Sequence, residues 1–101
     1  MKPLSNGNSI AGTSFFGTTI TATIDQLEEV IGEPTYEENT GEDKVNFEWD
    51  MQLEDGTVFT IYDWKEYRPI YRDEKIVWHI GGRNKDNTDK ALEELSKLII
   101  N

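Results

Sequence analysis

The chain has no cysteine, a single histidine (His79) and three prolines in 101 residues. Without cysteine there are no disulfides, thiolate nucleophiles or sulfur-ligated zinc sites, which fits a reducing compartment and makes the cytoplasm the expected location. One histidine excludes a metal site built from several, and a Ser-His-Asp triad would have to be assembled around His79. No apolar run approaches the roughly 20 residues that span a bilayer, and the opening Met1 to Asn8 lacks the apolar segment of a signal peptide. The expectation is a protein with no membrane partner that is not exported. Basic residues are scarce in the first part of the chain: residues 1–64 carry 13 acids and 2 bases, residues 65–101 carry 7 acids and 8 bases, and the whole is −10. Such an excess of acid repels a nucleic-acid backbone and disfavours duplex binding.

What is present argues for a folded chain. Three Trp, four Tyr and four Phe accompany an apolar content of 36 %, and disordered chains rarely carry so many large rings. Residues 1–11, rich in Ser, Asn and Gly, read as a flexible leader, and residues 12–101 as one domain. Gly12 to Ile20 has the character of an irregular strand. Thr23 is placed to cap a short helix, Ile24 to Ile31, that ends at Gly32 and buries Ile24, Leu27, Val30 and Ile31. From Val45 to Leu53 every odd position is apolar and every even one polar, the pattern of a half-buried strand. Asp55-Gly56 suits a two-residue turn, which pairs Leu53 with Val58, Met51 with Thr60, Trp49 with Tyr62 and Phe47 with Trp64. That register leaves Phe59 and Ile61 outward among acids, where a second element or a second subunit must cover them, and so favours a homodimer. A third strand, Lys75 to Ile80, completes a meander, and Asn87 or Thr88 caps a last helix with Ala91, Leu92, Leu95, Leu98 and Ile99 on one face. The fold class expected is α+β: an antiparallel sheet of three to four strands with a short N-terminal and a longer C-terminal helix, in the order β-α-β-β-β-α.

Few constellations carry chemistry. His79 reads first as a partly exposed strand residue, with Trp78 and Ile80 turned to the other face, and second as a ligand contact. The acidic runs Glu37-Glu38 and Glu42-Asp43 read as solvated surface, and no Asp-x-Asp-x-Asp loop with a closing Glu occurs. The glycines at 12 and 17 make no phosphate-loop pattern. Between Tyr62 and Lys85, rings alternate with cations, the mixture that stacks a base and grips a phosphate. The candidate contacts are Lys65, Tyr67, Arg68, Tyr71, Arg72, His79, Arg83 and Lys85, with Thr13 and Ser14 adding hydroxyl and backbone donors. The plainer reading of the same stretch puts Trp64 and Trp78 in the core and leaves the cations as solubilising charge. No catalytic residue, metal ligand or cofactor is assigned.

The segments Gly12-Thr13-Ser14, Leu27 to Pro34, Asp55-Gly56-Thr57, Ile61 to Lys65 (Ile-Tyr-Asp-Trp-Lys) and Trp78 to Gly82 (Trp-His-Ile-Gly-Gly) together resemble small phage-encoded accessory proteins of unassigned function. The resemblance spans residues 12 to about 100. It implies action in the cytoplasm of an infected host, and small phage accessory proteins often counter host defence. The first functional expectation is therefore a non-enzymatic protein that binds and sequesters a small phosphorylated (cyclic) nucleotide signal of host defence. The alternative is an acidic protein-binding inhibitor that mimics nucleic acid and blocks a host defence protein. A third reading, a hydrolase with His79 or an acid as general base, has the least support in these residues.

Overall fold

The structure, a computed structural model, describes residues 1–5 and 7–99. Asn6 of the expected leader, and Ile100 and Asn101 at the end of the expected domain, lie outside the described residues. The elements are β1 (Lys2–Pro3), β2 (Ser14–Ala22), α1 (Ile24–Ile31), β3 (Tyr36–Glu37), β4 (Phe47–Gln52), β5 (Val58–Tyr62), β6 (Ile76–Gly82) and α2 (Lys85–Leu98). The class is α+β, as expected, but among the described residues the sheet has six strands. The two extra ones are two-residue strands, too short to leave a periodic signal, and both pair with β4. The principal path is β1-β4-β5-β6-β2, with every pairing antiparallel. No described helix is long and apolar enough to cross a membrane.

Local chemistry sets the helix boundaries. Thr23 caps α1 through a reciprocal capping box: its hydroxyl accepts from the Gln26 amide and its own amide donates to the Gln26 side chain. Asn84 caps α2, accepting from the Asn87 amide at 2.8 Å, so the helix begins three to four residues earlier than the caps expected at Asn87 or Thr88. Thr88 instead lies inside the helix, buried, with its hydroxyl 2.8 Å from that of Thr18 on β2. Both helices contribute to the core, α1 through Ile24, Leu27 and Ile31 and α2 through Ala91 and Leu95. Val30 and Leu92 are partly buried beside them, whereas Leu98 is exposed.

The hairpin departs from expectation by one residue. Leu53 and Thr57 close the loop, with the Leu53 amide donating to the Thr57 carbonyl at 2.9 Å and the Gly56 amide to the Leu53 carbonyl at 2.9 Å. The loop is therefore three residues, Glu54-Asp55-Gly56, with Gly56 at φ 89°, a left-handed position that glycine adopts at little cost. Gln52 pairs with Val58, Met51 with Phe59, Asp50 with Thr60, Trp49 with Ile61 and Glu48 with Tyr62. Side chains alternate along a strand, so a slip of one residue exchanges the faces of a whole strand. Phe59 and Ile61 are fully buried, packed with Phe47, Trp49 and Met51, and the case for a covering subunit on their face falls away. Tyr62 and Trp64 turn outward, so Trp64 does not share the core position of Trp78.

At the centre of the core, Trp49 and Trp78 meet edge to face at 5.4 Å. Each indole N–H is satisfied at 2.9 Å, Trp49 by the Gly32 carbonyl and Trp78 by the Ala22 carbonyl, so burying these large rings leaves no polar group unpaired. Asp63 is fully buried and accepts from the amides of Asn46 and Phe47 at 2.8 Å and from the Asn46 side chain at 3.1 Å. This carboxyl fastens the end of β5 to the start of β4. Asp63→Ala leaves those buried donors without a partner, and hydrogen bonds to a charged group contribute about 1.5–3 kcal/mol each. The expected loss of folding stability is roughly 3 kcal/mol or more. Urea denaturation measures it, and a loss below about 1 kcal/mol would show that water replaces the bonds.

Candidate ligand-binding face

Antiparallel sheets with helices on one side leave the other side open, and here that side carries the unusual residues. Its strand positions are Phe15, Thr19 and Thr21 on β2, Val77, His79 and Gly81 on β6, Val58, Thr60 and Tyr62 on β5, and Glu48, Asp50 and Gln52 on β4, as the register dictates. The segment read as a flexible leader is bound along this side. The Ser5 amide and hydroxyl and the Asn8 side chain all donate to Gln52 Oε1 at 2.9–3.0 Å. Arg83 donates to the carbonyls of Ser9 at 2.7 Å and Ala11 at 3.3 Å. These are backbone and polar contacts, which a search for apolar periodicity does not register.

Four rings are grouped on the open face. Phe15 stacks on His79 with centroids 3.9 Å apart and planes within 11°. Tyr62, the cross-strand partner of His79, meets it edge-on at 5.5 Å, and Trp64 lies 6.2 Å from His79 with planes 26° apart. Trp64 is 41 % exposed and Phe15 is 42 % exposed. Burial pushes the His79 imidazole below its ordinary value, so at neutral pH the ring is uncharged. Beside the rings is a recess of about 250 Å³ lined by Ile10, Thr13, Ser14, Val45, Glu48, Thr60, Tyr62, Trp64 and Gly81. Gly81 keeps its floor low: a Cβ there would stand 2.5 Å from Thr60 Oγ1. A second recess, walled by Tyr36, Asp43 and Lys44, shares Val45, Glu48 and Trp64 with the first.

Trp64 is held out by its neighbours. It follows the buried Asp63 and precedes Lys65, whose φ of 56° is left-handed and unusual for a residue with a side chain. The Lys65 amide donates to the Lys44 carbonyl at 2.8 Å, which brings both lysines to one ring. Their ammonium groups lie 5.6 Å (Lys65) and 5.9 Å (Lys44) from the indole centroid. Among the described residues neither lysine makes an ion pair.

The ten residues expected from sequence to form the site separate. Thr13, Ser14, Lys65 and His79 are on the aromatic face. Arg68 is paired with Glu74, Arg72 with Asp25 and Glu28 of α1, and Lys85 with Asp89 one helical turn away. Arg83 clamps the N-terminal segment. Tyr67 and Tyr71 are exposed in the 65–75 loop and line neither recess. The expected cationic pocket is therefore not assembled from these arginines, whose charges are met by carboxylates or carbonyls. Phe15, Tyr62, Trp64, Lys44 and Glu48 take their place. A three-residue hairpin loop, had it been read, would have turned Tyr62 and Trp64 outward; nothing local marks Lys44, which reaches Trp64 across 20 positions of sequence.

Glu48 and Asp50, two positions apart on β4, lie on the same side of the sheet. Asp50 Oδ1 is buried without a partner among the described residues. Burial first, and the Asp50 carboxylate second, raise Glu48 to about 8. Among the described residues no three His, Cys, Asp or Glu side chains are grouped to hold a metal ion. Compared with family models, with curated proteins and with solved structures, the chain matches none. Fold and face together define an α+β protein with a ring-lined recess on the open side of an antiparallel sheet.

Because the folded state holds the Glu48 proton to a higher pH than the unfolded chain does, the contribution of this group to stability is complete below its ordinary value near 4.5 and is lost as pH rises toward 8. Melting temperatures of the native chain and of Glu48→Gln should accordingly diverge as pH rises, with the variant becoming relatively more stable. A constant difference from acid to alkaline pH would show that Glu48 ionises normally.

Proposed function

We propose that this protein is a non-catalytic binding protein for a small phosphorylated nucleotide, held on the open face of the sheet. The base stacks against Trp64 and the His79–Phe15 pair, and the phosphate meets Lys44 and Lys65, with the Ser14 hydroxyl as a further donor; the Thr13 hydroxyl lines the recess but already donates to the Ile10 carbonyl at 2.7 Å. The observation that carries this reading is the exposed ring cluster standing directly beside two ammonium groups that make no ion pair among the described residues. Stacking on an aromatic side chain contributes ~1–3 kcal/mol per base and tolerates any base, while an ammonium supplies the attraction for phosphate. In the setting implied by the resemblance to phage accessory proteins, binding without turnover in the host cytoplasm withdraws a nucleotide signal from a defence receptor.

The alternative, an acidic inhibitor that binds a host defence protein, rests on the rim formed by Glu38, Glu42 and Asp43 beside Tyr36. Its apolar half, Phe59 and Ile61, is inside the core, which makes it the lesser reading.

Trp64 is the exposed tryptophan of three, so its emission reports directly on stacking. Titration with purine and pyrimidine mononucleotides should quench it, and Trp64→Ala should weaken binding, followed calorimetrically, by about tenfold or more. Joint replacement of Lys44 and Lys65 by Ala should weaken nucleotides more than nucleosides. Equal affinity in the native chain and in Trp64→Ala rules out this face as the site.

A further inference from the structure

One wall of the recess beside Trp64 does not belong to the sheet. Ile10 and Thr13 form it, and they are joined in a closed turn: the Thr13 amide and hydroxyl both donate to the Ile10 carbonyl, at 3.0 and 2.7 Å. No residue from Gly7 to Thr13 is buried. Left-handed glycines stand at both ends of this stretch, Gly7 at φ 90° and Gly12 at φ 83°, and nothing lies within 4 Å of where a Cβ would be on either. Among the described residues, the hydrogen bonds that tie residues 9–13 to the rest of the molecule come from Arg83, whose guanidinium donates to the Ser9 carbonyl at 2.7 Å and to the Ala11 carbonyl at 3.3 Å. A segment with so few buried contacts opens at low cost, so the place of the wall depends on this one side chain. Arg83 is itself held on both sides. It stands between Gly82, the last residue of β6, and Asn84, the cap of α2, and the helix sits so close that a Cβ on Gly82 would be 2.9 Å from Thr88 Cγ2. Arg83 lines neither recess.

We infer that Arg83 is a positioning residue for the nucleotide site: it holds residues 9–11 and so keeps Ile10 and Thr13 in place as one wall of the recess, and affinity depends on a side chain that does not touch the ligand. The inference rests on the nucleotide reading of this face. A guanidinium suits the task, because its planar fork can donate to two carbonyls at once and it stays charged at any working pH. With the wall in place, a base lodged beside Trp64 also has apolar contact with Ile10. With the wall released, the recess is open on that side and binding must first order the segment, which lowers apparent affinity by the fraction of time the wall is formed. The coupling runs both ways, so a bound nucleotide orders the segment as the ordered segment favours the nucleotide. Direct contact between Arg83 and phosphate would act differently, since it would help nucleotides and leave nucleosides unaffected.

The test uses adenosine and AMP as probes of the full chain, with NMR relaxation of the backbone amides reporting the order of residues 8–13. Arg83 is exposed, so its replacement leaves the core intact. In the native chain these residues are as ordered as the sheet, with order parameters of about 0.85, and in Arg83→Ala they fall below about 0.6 while the strands are unchanged. Affinity for adenosine and for AMP falls by the same factor, about tenfold, as for a wall formed roughly a tenth of the time, and saturating AMP restores the order. Arg83→Lys, which keeps the charge and loses the fork, falls between the two on both readouts. Unchanged order in Arg83→Ala overturns the inference before any ligand is added. Loss of order with no loss of affinity overturns it too, as does a loss for AMP that adenosine does not share; both leave the nucleotide reading standing where Trp64→Ala still weakens binding. If neither probe binds the native chain, the nucleotide reading fails and this inference with it.

Discussion

Closure of the β4–β5 hairpin between Leu53 and Thr57 is the constraint on which the rest of the molecule depends. Two backbone hydrogen bonds and the left-handed Gly56 make the loop odd-numbered, and the loop's parity decides which side chains share a face. With this register Phe59 and Ile61 complete the core around Trp49, and burying two such side chains stabilises the fold by about 1.5–3 kcal/mol each. The other register would expose them and drive Tyr62 and Trp64 inward beside Phe47. The same two bonds therefore supply the core with its aliphatic and phenyl volume and supply the open face with an indole and a phenol. Asp63 secures the far end of the hairpin, so its two strands are fixed at both ends and the ring that follows Asp63 has a defined direction.

Charge is organised by the same scaffold. Two of the basic residues gathered after position 64 tie to the acidic first part of the chain, Arg72 to Asp25 and Glu28 on α1 and Lys90 to Asp55 in the hairpin loop, while Arg68, Lys85 and Lys97 pair with acids near them in sequence. Exposed pairs of this kind contribute little individually. Their consequence for the surface is larger, because they remove cations that would otherwise compete for an anion and leave Lys44 and Lys65 beside Trp64. The net charge of −10 thus coexists with a small region where two ammonium groups stand 5.6 and 5.9 Å from the centre of an exposed ring.

Elements governed by nearest-neighbour chemistry were legible in the sequence. The bounds and cap of α1 follow from Thr23, Asp25 and Gly32, the alternation from Phe47 to Gln52 gives β4, and the placement of Trp78 and Ile80 opposite His79 follows from period two. What escaped reading was set at longer range. The hairpin register depends on whether Glu54 belongs to the loop or to the strand, and Asp55-Gly56 permits both. β1 and β3 exist because β4 offers an edge to them. Of the site, Thr13, Ser14, Lys65 and His79 were visible as polar or basic residues near rings, whereas the pairing of Arg68, Arg72 and Lys85 with carboxylates is a property of the folded surface. The bound state of residues 1–5 and 7–13 escaped for the same reason, since it rests on backbone pairing with β4 and on a few polar atoms of Gln52 and Arg83.

The bulge in β2 has a bearing on how copies of this chain behave in concentrated solution. β2 is the last strand of the principal path, and such a strand offers a row of unpaired amides and carbonyls to any similar chain. Between Phe15 and Thr19 three residues of β2 stand opposite the single Ile80 of β6, with Gly17 at φ 90°. That irregularity breaks the spacing of the row and turns part of it away from the plane of the sheet. At the opposite margin β4 is already paired by β1 and β3. Neither margin gives a long, straight template, so edge-to-edge addition of strands from another copy is hindered at both ends even though the strands between them are rich in residues that favour it.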